Sequence, residues 1–340
     1  MQHSLRTYNT FGFDAYANRV SILRTVDDVH SLVESGAMSA GNDVLVIGGG
    51  SNILLTRNVE HVALMQIRGI DILFESEHDV TVRFGAGENW HSCTEWAVAH
   101  GYGGIENLAL IPGTVGAAPI QNIGAYGVEL VDSFLSLQYI HTETNDSVMV
   151  NKGICEFGYR DSIFKHALKG SAIITAVTLT LSKQPSVNAD YKDVRIELER
   201  QDIASPTIAD IHRAVVAIRQ AKLPDPAKIG NAGSFFKNPV VAKAVYERIK
   251  QEYNENQSGL SVPHYVVDSD SVKIPAAWLI EQCGFKGIRR GAVGVHERQA
   301  LVLVHTGGGT GADIYRLAEE IQSTVEDRFG IHLTMEVNII

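Results

Sequence analysis

The chain has few cysteines, no basic excess and no long apolar run, and each shortage removes a class of protein. Only three of its 340 residues are cysteine. Cys93, Cys155 and Cys283 are widely separated, with no CxxC pair. An odd set of isolated thiols argues against a secreted disulfide framework and for a reducing, cytoplasmic compartment. The short spacing of a metal site is also missing, so no metal is expected, and the thiols read as small buried residues. The formal net charge is −10, the reverse of the basic footprint of a nucleic-acid binder. Local lysines and arginines can still build a positive cleft for a small anion. The apolar runs are of strand length, far short of the ~20 residues of a membrane span. The opening Met1-Gln-His-Ser-Leu-Arg-Thr is polar and lacks the apolar core of a signal peptide. Single cores rarely grow beyond ~250–300 residues, so a chain of this length predicts more than one unit.

Between 20 and 185, short β-branched runs alternate with turn residues. Val44–Ile47 runs into three glycines, Val80–Phe84 into Gly85-Ala-Gly87, and Ala172–Leu181 predicts one long strand. Thr25 and Asp28 have capping-box spacing and open a short helix; Trp90–Ala99 predicts another, stopped by Gly101. Helices that do not alternate regularly with strands make the fold class α+β. Further on, Thr207 and Asp210 repeat the capping-box spacing, Ile211, Val215 and Ile218 share a helical face, and Leu223-Pro-Asp-Pro226 is the stop. The main boundary is expected between 185 and 207. Residues 251–261 are polar and predict a mobile loop. Thr310 and Asp313 cap a last helix carrying Ile314, Leu317, Ile321 and Val325, with Gly330 after its final turn. A strand over 332–339 follows.

Two glycine loops draw attention to a nucleotide. Gly48-Gly49-Gly50-Ser51-Asn52 follows a strand, but Ile53-Leu54-Leu55 then reads as strand, where a Rossmann fingerprint requires a helix. Gly307–Gly311 has no GK[ST] and reads as a turn before a helix. The segment 111–127 is richer, with four glycines and two prolines among small side chains. Such a loop lets backbone amides converge on an anion and lets a flat cofactor approach the main chain. A connector built of tight turns is the plainer alternative for each loop alone; two in one domain favour a bound nucleotide cofactor.

The motifs, taken in order, resemble the UDP-N-acetylenolpyruvoylglucosamine reductase family, also called UDP-N-acetylmuramate dehydrogenases, in its long-loop class. The matching stretches are Asn9–Gly12, Gly48–Asn52, Gly85–Trp90, Glu106–Gly113, Gln121–Gly127, Phe157–Ser162, Lys222–Pro226, Gly230–Pro239 and Ala277–Ile280. Together they cover nearly the whole chain. The resemblance implies an FAD-binding domain of vanillyl-alcohol-oxidase type over 16–184 and a smaller α+β substrate-binding domain over 207–340, whose last strand returns to the active site. It implies reduction of UDP-N-acetylglucosamine enolpyruvate to UDP-N-acetylmuramate in peptidoglycan synthesis, with NADPH as reductant, FAD as cofactor and a monomeric enzyme. For FAD it implies Gly48, Gly49, Gly50, Ser51, Asn52, Pro112, Gly113, Gly116, Ala117, Gln121, Asn122, Gly124, Ala125 and Tyr126.

For catalysis the resemblance implies Arg160, Ser234 and Glu336. Hydride adding to the methylene carbon of an enol ether drives charge onto the adjacent carbon and its carboxylate, which calls for a cation and a proton donor. A guanidinium suits the first task; the resemblance gives it to Arg160, the proton to Ser234, and assistance to protonation to Glu336. Read as isolated residues, Arg160 is a structural ion pair, Ser234 a turn residue and Glu336 a solvent-facing strand residue. For the UDP-sugar the resemblance implies Tyr159, Tyr191, Lys222, Asn238, Tyr265 and Gln299. Departures are the weakly matching 185–206 and 242–262, and Ala117-Ala118, where a serine hydroxyl would be absent. Two other readings remain open: a flavin oxidase passing electrons to oxygen, and a non-catalytic nucleotide-binding protein.

Overall fold

The computed structural model describes residues 2–39, 41–256 and 261–340. They form two compact units: Tyr16–Gly50 and Val59–Ala221 with the residues up to Ser4, and Leu5–Ala15 and Ser51–Asn58 with Lys222–Ile340. The units do not divide at the boundary expected between 185 and 207. Helices Lys192–Arg200 and Ile208–Lys222 bury Val194, Leu198, Ile211, Ala214, Val215 and Ile218 together with Ala109, so this stretch packs with the first unit. The change of unit also falls inside the first glycine loop, between Gly50 and Ser51.

The first unit contains two sheets. One runs in the order His3–Ser4, Tyr16–Leu23, Val59–Met65, Val44–Ile47, with the last three parallel. The other is antiparallel, in the order Ser147–Asn151, Phe134–His141, Ala172–Ser182, Asp79–Gly85, Ile70–Glu75. The central Ala172–Ser182 strand is buried along most of its length, as expected of a β-branched run covered on both faces. Helices Val26–Glu34 and Trp90–Ala99 stand where their caps predict: Thr25 and Asp28 close a full capping box, and the Asn89 side chain accepts from Ser92 N–H.

The second unit is built on the antiparallel order Gly230–Ser234, Val302–His305, Val293–Val295, Arg289–Arg290. Helix Gly311–Phe329, with its Thr310–Asp313 capping box and Gly330 at φ 67°, buries Ile314, Leu317, Ile321 and Val325 in that core. A second small sheet joins Val240–Ala242, Ser271–Lys273 and Tyr265–Val266. Two sequence expectations change here. Residues 251–256 are not loop but the end of helix Lys243–Asn256, because Tyr246, Ile249 and Tyr253 form a buried stripe at helical spacing; residues 257–260 lie outside the described residues. The strand expected over 332–339 is reduced to Asn338–Ile339. Its partner changes midway: Lys237 and Thr334 pair through their backbones, whereas Asn338–Ile339 pairs in parallel with Ile53–Leu54. A strand that switches partners cannot keep one ladder.

Gly311 starts its helix against the backbone of Leu55: a β-carbon there would lie 1.9 Å from the Leu55 carbonyl oxygen. Gly311→Ala is expected to cost the second unit roughly 2–4 kcal/mol by forced backbone displacement, read as a lowered urea midpoint in equilibrium unfolding.

Candidate active site

In the first unit the two glycine loops lie against each other. A β-carbon on Gly48 would come 2.1 Å from Thr114 Oγ1, and one on Gly49 3.0 Å from the Gly113 α-carbon. Glycine is required there because the main chains touch. The segment 113–116 also runs along the Gly85-Ala-Gly87 turn: Val115 N–H bonds Glu88 O at 2.9 Å and Gly116 N–H bonds Ala86 O at 2.8 Å. Beyond Pro112, the chain winds through 3₁₀ turns at Val115–Ala117 and Pro119–Gln121 into the short strand Gly124–Ala125. Thr114 Oγ1 is buried and has no hydrogen-bond partner in the structure. A buried hydroxyl in that state fits a polar atom of a bound molecule. Thr114 was not among the residues expected from the sequence.

Arg160 is fixed by the same loop. It sits at φ 54° in the tight turn between Gly158 and Asp161, whose backbones bond each other in both directions. Asn122, itself at φ 40°, is wholly buried and stitches this turn to the loop. Its Nδ2 donates to Gly158 O at 3.2 Å and Glu129 Oε2 at 2.8 Å, while its Oδ1 accepts from Val131 N–H at 3.0 Å. The Asn122 side chain is therefore occupied inside the protein. Ser162 Oγ adds a bond to Ile120 O at 2.7 Å. The Arg160 guanidinium then bonds Gly124 O at 2.5 Å and lies 5.7 Å from the centroid of the half-exposed Tyr159 ring. Asp161, the acid beside it, contacts His166 at 2.9 Å.

A second guanidinium, missed by the sequence reading, belongs to Arg219 on helix Ile208–Lys222. Its Nε bonds Leu110 O at 3.2 Å, and its side chain also bonds that of Tyr126. Burial lowers its pKa from the ordinary value; Tyr126 opposes this, and the positive charge of Arg160 adds to it. Burial raises the pKa of Tyr126 in turn. Tyr126 stacks edge-on against Tyr191 at 5.2 Å, and Asn107 Nδ2 reaches Tyr126 O at 3.1 Å. The signal was present in the sequence: Arg219 falls one turn after Val215, on the apolar face of its helix. The cysteines are inert by contrast, with burial pushing Cys93 and Cys155 up to about 12.

In the second unit, Ser234 and Glu336 come onto adjoining segments. Phe236 bridges Met335, and Glu336 N–H bonds Phe235 O at 2.8 Å. The strand carrying Ser234 slips register between Asn231 and Ser234, with Gly233 at φ 70°. Such a bulge re-aims a side chain, and Ser234 is exposed beside the fully buried Phe235 and Phe236. Buried Asn231 fixes the bulge through Gly233 N–H, Ile229 O and Pro224 O. Asn52 holds the Glu336 stretch: its Nδ2 bonds Glu336 O at 3.3 Å, and its carbonyl accepts from Asn338 N–H at 3.1 Å. Among the remaining expected residues, Asn238 Oδ1 accepts from Ala276 N–H at 2.9 Å at the start of a helix, Lys222 is exposed, and Tyr265 is 52% exposed on a short strand. Gln299 is half-buried, its Oε1 facing Leu301 N–H at 3.4 Å.

Among the described residues no cluster of three or more His, Cys, Asp or Glu could hold a metal ion, and no helix is long and apolar enough to cross a membrane. A family model described as "FAD binding domain" matches residues 17–144, and one described as "UDP-N-acetylenolpyruvoylglucosamine reductase, C-terminal domain" matches 225–340. The UDP-N-acetylenolpyruvoylglucosamine reductase of Flavobacterium johnsoniae is 42% identical over 339 residues, 99% of this chain and 98% of that protein. That of Chromobacterium violaceum is 45% identical over 342 residues, covering 99% and 97%. A solved UDP-N-acetylenolpyruvylglucosamine reductase from Thermus caldophilus superposes with a TM-score of 0.68 at 22% identity, over 100% of this chain and 98% of that one, and speaks for the fold. With the α+β architecture, the touching glycine loops and an FAD-domain match on the first unit, the fold expected from the sequence is met. The chain belongs to the UDP-N-acetylenolpyruvoylglucosamine reductase family.

Proposed function

We propose that this chain is a cytoplasmic, monomeric FAD enzyme that reduces UDP-N-acetylglucosamine enolpyruvate to UDP-N-acetylmuramate with NADPH, a step of peptidoglycan synthesis. The observation that carries this reading is the anchored guanidinium of Arg160, held on the Gly124 carbonyl by a loop that Asn122 and Ser162 stitch in place. A cation fixed before substrate arrives stabilises developing charge without having to reorganise.

When bound, FAD supplies the redox chemistry, accepting hydride from NADPH and giving it to the methylene carbon. For the cofactor we assign the touching loops around Gly48, Gly49, Gly50 and Gly113, with Ser51 and Asn52, and the backbone of the turns from Gly116 and Ala117 to Gln121, Ala125 and Tyr126. The unpartnered Thr114 hydroxyl is added to that set. Arg160 holds the enolpyruvyl carboxylate and stabilises the charge that hydride addition places on the adjacent carbon. Ser234 delivers a proton to that carbon, and Glu336 assists the transfer and polarises the carboxyl group. Lys222 offers a point charge to the diphosphate. Asn238 keeps its amide donors for the sugar nucleotide, because its oxygen already accepts from Ala276. Tyr159, Tyr191, Tyr265 and Gln299 complete the substrate contacts.

The reading is tested anaerobically: NADPH should bleach the yellow holoenzyme, and the enolpyruvyl UDP-sugar should restore its colour. Colour that returns only on admitting air, with no response to the sugar, would overturn it in favour of an oxidase. Ser234→Ala is expected to leave bleaching by NADPH near the wild-type rate and to slow recolouring by orders of magnitude. Arg160→Lys loses the forked geometry and should slow recolouring roughly a hundredfold, again with bleaching retained; stopped-flow absorbance separates the two half-reactions.

A further inference from the structure

Leu110, the residue that opens the loop 111–127, stands at φ 58°. A leucine held left-handed is strained, so its neighbours must fix it. Two groups do so from opposite sides. Arg219 Nε donates to its carbonyl at 3.2 Å, and its N–H donates to His91 Nδ1 at 3.1 Å. Because Arg219 also bonds the Tyr126 side chain, one guanidinium joins both ends of the loop, and His91 braces the first end.

We propose that His91 is a positioning residue for the reductase reaction: its unprotonated Nδ1 holds Leu110, and through Leu110 it orients Arg219 and the loop that carries the Arg160 anchor, Gly124. The inference rests on the function proposed above.

The tautomer follows from the neighbours. The Thr94 hydroxyl donates its one proton to His91 O at 2.7 Å. Toward His212 Nε2, 3.3 Å away, it can then only accept. His91 Nδ1 must accept from Leu110, which places the His91 proton on Nε2, 3.7 Å from Glu95. His212 stacks on His91 with ring centroids 5.5 Å apart and planes within 10°. Burial, and then the charge His91 would carry, lower the pKa of His212, so the stack keeps it neutral. The charged groups facing the pair are Glu95 on the helix of His91, Arg213 beside His212, and Arg219 beyond Leu110. A proton added at Nδ1 would set two N–H groups against each other and release Leu110.

The experiment uses the FAD-loaded full chain and compares His91→Phe, which removes the acceptor, with His91→Asn, whose Oδ1 can replace Nδ1. The first readout is hydrogen exchange at the Leu110 amide, which needs no turnover. It should be slow in wild type and His91→Asn, and roughly tenfold or more faster in His91→Phe. The second is recolouring of the reduced enzyme by the UDP-sugar. His91→Phe should slow it about tenfold, and His91→Asn should stay within about threefold of wild type. Equal behaviour of the two variants in either readout would overturn the proposal. A wild-type enzyme that fails to recolour at all would instead overturn the functional reading, and the exchange measurement would still decide the brace.

Discussion

Packing an arginine into a protein interior is costly unless its donors are matched, and Arg219 meets that demand with the two ends of one loop. Its guanidinium bonds the Leu110 carbonyl and the Tyr126 side chain, sixteen positions apart in the chain. A seventeen-residue segment rich in glycine has high conformational entropy when unfolded, and tying its ends to a rigid helix removes most of that freedom at one point. Helix Ile208–Lys222 can serve as that rigid support because Ile211, Ala214, Val215 and Ile218 bury its other contacts in the core with Ala109, next to Leu110. The loop's shape thus depends on a helix nearly a hundred residues away.

Inside the bracket, Asn122 does for the middle of the loop what Arg219 does for its ends. Its backbone takes the left-handed conformation that asparagine tolerates better than most residues, and its buried amide satisfies three partners from two segments, Glu129 and Val131 in one and Gly158 in the other. One consequence is that Arg160 cannot move independently of the loop. The turn that carries Arg160 hangs on Asn122 at Gly158, and the guanidinium returns to the loop at Gly124. In the second unit, Asn231 and Asn52 repeat the device: one fixes the bulge before Ser234, the other the backbone at Glu336. All three asparagines act through their side chains as internal braces.

What the sequence discloses is largely local. Capping boxes at Thr25 and Thr310, the stop at Gly330 and the helix over 90–99 are set by neighbours within a few residues, and the structure keeps each of them. The family's motifs carried the fold and its cofactor class. Features that depend on distant partners were harder to read. The end of helix Lys243–Asn256 was obscured by polar residues, although Tyr253 continues the spacing set by Tyr246 and Ile249. The final strand reads as continuous because its alternation is regular, and nothing in its own residues tells that its partner changes from 235–237 to 52–56. Thr114 carries no local mark at all: its significance is an unmatched hydroxyl, visible only once the chain is folded. Arg219 was legible, as a charge on an apolar helical face, but only by asking what such a charge could pair with.

Two guanidiniums stand close enough for each to act on the charge of the other. The charge of Arg160 contributes to lowering the pKa of Arg219, so each raises the energy of the other, in a protein whose overall charge is −10. Carboxylates dispersed over the surface are too well screened to offset a repulsion between partly buried groups, since screening by water and salt falls away only inside. The carbonyl of Gly124 accepts from one guanidinium and that of Leu110 from the other, and a carbonyl orients a cation without itself neutralising it. On the function proposed above, that positive charge meets the enolpyruvyl carboxylate, where negative charge grows at the adjacent carbon as hydride arrives.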